Sequence, residues 1–251
     1  MRNTCQRAII TVLAIAALAA TSCTVREELT INGSGSGAAT LTISLNPILL
    51  SYYSDLLTAM TGAEGDYPVF DLEQLVAAFA ARPSLNLTEI ERSALGQLRL
   101  EISFDDLNDV LAEAAATDTA VEPADVFSFR AIGSRRELTV RLDRAAVNAF
   151  MAFAPPESAM MTEFLLPPDD GSVSRSQYQE ELAWALEEYA PADEVTRVLE
   201  QSAIEVVVRP AGRIESQTGG TIRNGAVIFR VPILELLTLS EERVYRVVFV
   251  P

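Results

Sequence analysis

The residue types that carry most enzyme chemistry are scarce in this chain of 251 residues. It has no histidine, all 19 of its basic residues are arginine, and its two cysteines are Cys5 and Cys23. It therefore cannot supply a Ser-His-Asp triad, a His-ligated zinc site, a Ser-Lys dyad or a Walker-type phosphate lysine. Only carboxylates, tyrosines, serines and arginines remain, so we predict no catalytic residue, no metal site and no cofactor.

Cys23 follows a segment with the features of a secretion signal. Arg2 and Arg7 precede residues 8–20, a run of small and apolar residues broken only by Thr11. This run has the length of a signal-peptide core and is shorter than the ~20 residues of a membrane-spanning helix. The small residues just before Cys23 resemble a bacterial lipobox, where the thiol is acylated and the chain is cut. We predict a signal peptide over 1–22; an ordinary secretory signal with an incidental cysteine is the alternative.

Acylation of Cys23 would explain why the exported part of the chain keeps one thiol. Cys5 lies in the basic start of the signal and would leave with it, so Cys23 has no partner for a disulfide. One acyl chain binds a membrane only marginally, but the lipobox resemblance implies several chains of the palmitate type. The membrane is thus the first predicted partner. Thr24 follows the cysteine where an Asp would favour the inner membrane, so we expect the outer membrane of a cell envelope.

The charge of the chain excludes another class of partner. The formal net charge is −16, and loss of Arg2 and Arg7 with the signal would make the remainder more acidic. Such a surface repels phosphate backbones and anionic headgroups, so we predict no nucleic-acid binding. No later segment has the length and apolarity of a spanning helix.

Hydrophobic patterning predicts an α+β fold with a mainly antiparallel sheet, built from several β-hairpins with short helices between them. Apolar residues alternate over 25–31 and 39–45, and the Asn-Gly and repeated Gly between them predict a hairpin turn. Further predicted strands are 85–90, 97–104, 126–132, 137–142, 203–209, 213–217, 226–231 and 243–250. Predicted helices are 48–60, 71–81, 105–115, 144–153 and 176–189. We expect one extracytoplasmic domain over 23–251; a helical insertion over 144–202 is one interpretation of its organisation.

Two blocks of this body resemble the LppM-type domain of bacterial lipoproteins. They are "TVREELTINGSGSGAATLTISL" near the start and "EVVVRPAGRIESQTGGTIRNGAVIFRVPI" near the end. The matching positions are Pro210, Gly212, Ile214, Gly219, Gly220, Gly225, Val227 and Phe229. The resemblance implies an anchored envelope domain, with lipid or glycolipid binding in one branch and no catalytic residue. This chain departs from the pattern in its long helical middle and lacks the C-terminal spanning helix of some relatives.

The segment 154–170 is a candidate ligand-binding region. Double prolines bracket an apolar stretch in which we name Met160, Met161, Phe164 and Leu165 as candidate contacts. A lid over an apolar pocket is one interpretation, because methionine adapts to irregular ligands. A short helix packed on the core is the other.

Trp184, the one tryptophan of the chain, is a further candidate contact. On the predicted helix 176–189 it falls on the acidic side, among Glu180, Glu187 and Glu188. We expect it to be buried against a second element, as most tryptophans are. Contact with a ligand or a partner is the alternative.

Three acidic residues, Asp105, Asp109 and Glu113, follow each other at intervals of four on one predicted helix. Carboxylates spaced in this way can bind a divalent cation or act as an acid/base pair. Acids near a helix N-terminus more often form a solvated face, and this is what we expect.

The function predicted from these patterns is that of a lipid-anchored, non-enzymatic envelope protein that binds an apolar or lipid ligand or a protein partner. The first alternative is a structural or assembly lipoprotein without a small ligand. A carboxylate-based hydrolase is the third hypothesis, and it would depend on residues such as Asp105 and Asp109.

Overall fold

The computed structural model describes residues 23–62, 69–115, 126–151, 167–168 and 173–251. Within these ranges the chain forms eleven strands and seven helices. The strands are β1 (Cys23–Ile31), β2 (Gly37–Leu45), β3 (Asn86–Ala94), β4 (Gln97–Phe104), β5 (Phe127–Ile132), β6 (Arg135–Leu142), β7 (Ala203–Pro210), β8 (Arg213–Thr218), β9 (Thr221–Arg223), β10 (Ala226–Pro232) and β11 (Arg243–Val250). The helices are α1 (Pro47–Thr61), α2 (Leu72–Ala80), α3 (Leu107–Ala115), α4 (Arg144–Met151), α5 (Arg175–Ala185), α6 (Ala192–Gln201) and α7 (Ile233–Leu237).

The strands form two sheets, and the prediction of an α+β fold with mainly antiparallel pairing is confirmed. The larger sheet has the order β3-β4-β2-β1-β7-β10-β9, and the smaller has the order β5-β6-β11-β8. The predicted hairpins β1–β2, β3–β4 and β5–β6 are all present, each antiparallel. Their turns carry Gly or Asn-Gly signals, which act locally and are therefore readable from sequence.

The parallel pairing of β1 with β7 was not predicted. Thr24 lies beside Ala203 and Ile31 lies beside Pro210, so β7 covers almost the whole length of β1. Parallel neighbours need a long connection between them, and here the connection contains most of the fold. Alternating apolar residues indicate that β1 is a strand but not which distant strand pairs with it.

The main core lies between the larger sheet, α2 and the smaller sheet. Ile31 of β1, Leu100 of β4, Phe79 of α2 and Phe249 of β11 are all fully buried in it. The rings of Phe129 and Phe249 stack at 6.4 Å between centroids. The odd-numbered residues of β1 face this core, as the period-two pattern requires.

A second core is made by helices at the end of the larger sheet where β1 begins. Here α1 follows directly on β2, α6 leads into β7, and α7 follows β10. The buried contacts of this helical layer include Leu49 of α1, Leu182 of α5, Leu199 of α6 and Leu234 of α7. The backbone N–H of Ile233 donates to the carbonyl of Ser202 at 3.1 Å, which joins α7 to the end of α6.

Helix ends follow local capping chemistry. Asn46 caps α1 and Asp71 caps α2 through side-chain oxygens that accept from backbone N–H groups. Ser174 and Gln177 form a capping box at the start of α5. The helix predicted over 176–189 ends earlier, at Ala185, and the chain turns before starting α6. Neither α6 nor α7 was predicted. The predicted helix 176–189 extended over the turn that precedes α6, and α7 has only five residues.

Candidate functional site

Trp184 is exposed, and the expectation that it is buried is wrong. Its exposed fraction is 73%, the highest among the large apolar residues of the described chain. The buried stripe of α5 runs instead through Tyr178 and Leu182 to Leu186, and it packs against Val195 and Leu199 of α6. At 100° per residue Trp184 lies well off that stripe. α6 packs against the buried stripe and leaves the indole of Trp184 uncovered.

An open groove of about 570 Å³ lies between α5 and α6 beside Trp184. Alanines at positions 183 and 192 leave room between the two helices. The lining residues are Ser176, Gln179, Glu180, Ala183, Trp184 and Glu187, with Ala192 and Thr196 from the α6 side. We call this feature the α5–α6 groove.

The α5–α6 groove is acidic. Glu180 and Glu187 are exposed on either side of Trp184 in sequence. Among the described residues, neither carboxylate has an ion pair or a hydrogen bond, whereas Gln179 donates to Glu200 at 3.3 Å across the two helices. The only arginine ion pair on α6 joins Arg197 to Asp193 at 4.0 Å, within the described residues. The groove therefore presents uncompensated negative charge next to an aromatic face.

Helix α1 of the helical layer packs against the α5–α6 pair. The rings of Tyr52 on α1 and Tyr189 after α5 meet edge to face at 5.8 Å. Burial, followed by the nearby charge of Asp55, raises the pKa of Tyr189 to about 12. Tyr189 thus stays a neutral hydrogen-bonding group at physiological pH, which suits a structural role between α1 and the α5–α6 pair.

The other candidate ligand contacts, Met160, Met161, Phe164 and Leu165, lie outside the described residues. Whether 154–170 forms a lid or a packed helix therefore stays a prediction. Within 154–170 the structure describes Pro167 and Pro168. The carbonyl of Pro168 accepts from Arg144 Nη2 at 2.9 Å, which links the end of the segment to the start of α4.

Cys23, the predicted acylation site, is the first residue of β1. Its backbone pairs with Leu45 at the end of β2, and the next residue, Thr24, pairs with Ala203 at the start of β7. The residue predicted to carry the lipid thus opens a central strand of the larger sheet, at the end that the helical layer occupies. The proposed anchor and the fold are continuous.

Glu27 is an unusual residue of the core-facing side of β1. It lies between the buried residues Val25 and Leu29, with Leu41 and Val206 as its strand neighbours. Among the described residues its carboxylate has no hydrogen bond or ion pair. Burial raises the pKa of this carboxyl, because an apolar surrounding disfavours the charged form. Period-two alternation over 25–31 puts Glu27 on the apolar face of β1. Alternation alone does not show whether its carboxylate has a hydrogen-bond or ion-pair partner.

Glu113 does not belong to a solvated acidic face, so the expectation is wrong for this residue. Its Oε1 lies 3.0 Å from Nε of Arg82, a residue that is only 4% exposed. It also accepts hydrogen bonds from the backbone N–H of Ser84, at 3.1 Å, and from the Ser84 hydroxyl. Asp105 and Asp109 are exposed, as expected. Glu113 therefore ties α3 to the connection between α2 and β3 and compensates a buried cation.

In the part of the chain that the structure describes, the Cys, Asp and Glu side chains nowhere come together in a group of three that could hold a metal ion. In the same ranges, every helix is too short or too polar to cross a membrane.

Comparisons with known proteins add little. No family model and no curated protein matches the chain. The folded domain of the Mycobacterium tuberculosis protein LppM, solved by NMR, aligns with 91% of this chain and 90% of its own, at 11% identity and a TM-score of 0.39. A two-domain M1 zinc metallopeptidase aligns with 91% of this chain and 42% of its own, at 10% identity and a TM-score of 0.24. These scores describe weak likenesses of fold and support no functional inference.

Proposed function

We propose that this chain is an exported lipoprotein, anchored through acylated Cys23, whose folded body is a non-enzymatic binding module. The observation that carries the proposal is the juxtaposition at Cys23. A signal-like segment ends there, and a central strand of the fold begins there. The acyl chains would leave the protein from the start of β1.

Binding is favoured over catalysis by the residues that the chain offers. Histidine and lysine are absent from the sequence, and Cys23 is committed to the anchor in this proposal. Tryptophan is enriched at protein interfaces, so the exposed Trp184 beside an open groove supports a contact surface. A protein partner at this groove and an apolar ligand elsewhere in the body are the two forms of the proposal. The Thr24 that follows Cys23 favours the outer membrane.

The anchor is tested by fatty-acid labelling of the full chain in a bacterial host. Cells are fed an alkyne palmitate, and Cys23→Ala is compared with Cys5→Ala, which offers a matched thiol inside the signal. We expect the Cys5→Ala protein to be labelled and membrane-bound, and the Cys23→Ala protein to carry no label. Intact mass should show a chain that begins at residue 23 and carries acyl chains. A labelled Cys23→Ala protein, or a mature chain that retains residues 1–22, would contradict the anchor.

The apolar-ligand form of the proposal is tested separately. The detergent-purified protein is extracted with organic solvent, and the lipids are quantified by mass spectrometry against a membrane protein of similar size purified in parallel. Enrichment of one lipid class near stoichiometric amounts is the expected result. Replacement of Met160 and Phe164 by Ser should lower that amount several-fold. A lipid profile equal to that of the control protein would favour the structural lipoprotein, which binds no small ligand.

A further inference from the structure

We propose that the α5–α6 groove is a docking site for a cationic segment of a partner protein, with arginine as the preferred side chain. The inference deepens the protein-partner form of the proposed function. It depends on features of the groove that a structural surface does not need: an exposed indole, carboxylates without partners, and room between two helices.

The first feature that suits a cationic segment is the exposure of Trp184. A tryptophan costs free energy when its apolar surface is left in water, and Trp184 leaves 73% of its surface there. The apolar stripe of α5 is buried without Trp184, so this position could have been polar without any loss to the core. An indole face is the aromatic surface that best attracts a cation. Trp184 is thus available for a guanidinium or ammonium group.

The second feature is the placement of the carboxylates beside Trp184. Glu180 lies one helical turn before Trp184, and Glu187 lies three residues after it, and both line the groove. Neither has an ion pair within the described chain, although arginines elsewhere pair widely with glutamates, as Arg26 does with Glu28 at 2.8 Å. A guanidinium above the indole would reach these oxygens in the forked geometry that arginine favours.

The third feature is the shape of the groove. Ala183 and Ala192 line the space between the helices, so an extended side chain can enter without displacing a large residue. Thr196 and Gln179 add polar groups on the two sides. An aromatic platform, flanking carboxylates and a small-residue lining together suit a long cationic side chain better than an acyl chain, which would have to lie beside bare charge.

A membrane surface fits this groove less well. α5 and α6, with the turn between them, carry Arg175 and Arg197 against many more acids, so the local charge is strongly negative. Anionic headgroups would be repelled from such a surface. The acids are Glu180, Glu181, Glu187, Glu188, Asp193, Glu194 and Glu200. A basic polypeptide is attracted by this net negative charge, so charge complementarity selects that partner.

Trp184 also provides the assay, because it is the only tryptophan of the chain. The full-length, detergent-purified protein is titrated at 0.15 M salt with an acetylated tetra-arginine peptide, and its intrinsic fluorescence is recorded. The matched ligand is tetra-citrulline, which has nearly the same shape without the charge. We expect a saturable change in emission with the arginine peptide only, weakened at 0.5 M salt.

Variants then separate the groove from the overall negative charge. Glu180→Gln/Glu187→Gln should weaken peptide binding at least tenfold. Glu73→Gln/Glu91→Gln changes the net charge equally at distant exposed positions and should alter it less than twofold. With a fluorescein-labelled peptide, Trp184→Ala should abolish binding, and Trp184→Phe should retain part of it. Circular dichroism confirms folding of each variant.

Three results would overturn the docking site. The first is no binding of the arginine peptide, and the second is equal loss of binding in both double variants, which would show only bulk charge attraction. The third is a Trp184 emission shift with phosphatidylcholine vesicles and none with the peptide, which would make the indole a membrane contact. Since the peptide assay does not depend on acylation of Cys23, its failure leaves the labelling test of the anchor unaffected.

Discussion

Glu27 and Glu113 carry the same side chain in opposite surroundings. Glu27 lies on the apolar face of β1 without a partner among the described residues, and burial raises its pKa. Glu113 meets the buried guanidinium of Arg82 and two groups of Ser84. Glu28, on the solvent side of β1, is a third case, because its hydrogen bond with Arg26 lowers its pKa. Each role follows from what the fold places beside the carboxylate.

Glu27→Gln and Glu28→Gln should have opposite effects on stability. The raised folded-state pKa of Glu27 means that its ionised form costs free energy, a cost that is absent in acid and appears as pH rises through the folded pKa. Glu27→Gln should therefore stabilise the fold at pH 7, by on the order of 1 kcal/mol, and have little effect near pH 4. The lowered pKa of Glu28 gives stability above its unfolded pKa that disappears as pH falls.

Urea unfolding of both variants at pH 7 and pH 4 measures this contrast. Glu28→Gln should lose about 0.5 kcal/mol at pH 7, since exposed ion pairs contribute little, and less at pH 4, where the carboxyl is partly protonated. A destabilised Glu27→Gln protein at pH 7 would show that the Glu27 carboxylate has a favourable partner.

Glu113→Ala should be much more disruptive than Asp109→Ala, although the two acids lie one turn apart on α3. Removal of Glu113 leaves the buried guanidinium of Arg82 without a compensating charge. Since Glu113 itself is partly exposed, we expect the free energy of unfolding to fall by roughly 3 kcal/mol. Asp109 is exposed, and its loss should stay within about 0.5 kcal/mol. Chemical denaturation of both proteins gives the comparison. Equal losses would mean that Arg82 does not depend on Glu113.

At the level of elements, the turn between β1 and β2 does more than reverse the chain. Gly35 has a φ of +97°, and its carbonyl accepts from the N–H of Leu107, the first residue of α3, at 2.9 Å. A Cβ at Gly35 would lie 2.8 Å from Oδ1 of Asp106, whose side chain in turn accepts from the N–H of Asn108. The turn and the start of α3 are therefore built against each other.

Gly35→Ala should destabilise the fold by about 1–3 kcal/mol, through backbone strain and the contact with Asp106. Gly133→Ala is the matched control, because Gly133 also has a positive φ, of 60°, but no heavy atom within 4 Å of its added Cβ. We expect only the strain, about 1 kcal/mol, at that position. The midpoints of thermal unfolding give both values. A smaller loss at Gly35 than at Gly133 would refute the contact with α3.

At the level of the whole molecule, β1 joins the predicted anchor to the main core. It pairs along its length with β2 and β7, and it buries Val25, Leu29 and Ile31. Across the same strands, Arg26 forms an ion pair with Glu205. A membrane tether at Cys23 would thus hold the folded body at the bilayer without a linker.

Truncations should show this continuity. A chain that begins at Thr24 keeps β1 and should unfold cooperatively, with a midpoint within a few degrees of the acylated protein. A chain that begins at Asn32 loses an interior strand of the seven-stranded sheet and three buried side chains, so we expect it to aggregate or to lack a cooperative transition. Near-UV circular dichroism during heating distinguishes the two. A folded chain from Asn32 would show that β1 is dispensable.

Patterns that act over a few residues were sufficient for much of the fold. Period-two alternation located most of the strands, Gly and Asn signals located the hairpins, and capping residues such as Asp71 located helix starts. The candidate acylation site was also available at this level, because a signal and a thiol lie next to each other in the chain. These features depend on neighbours in sequence, so no tertiary contact is needed to recognise them.

The remaining features depend on residues that meet only after folding. Parallel pairing of β1 with β7, compensation of Arg82 by Glu113 and the exposure of Trp184 all involve partners on separate elements. A helical wheel could place Trp184 on the acidic side of α5, but only the packing of α6 against the buried stripe left its ring in water. The apolar pattern of the sequence indicates which side chains tend to be buried. Which elements pack against each other is decided only when the whole chain folds.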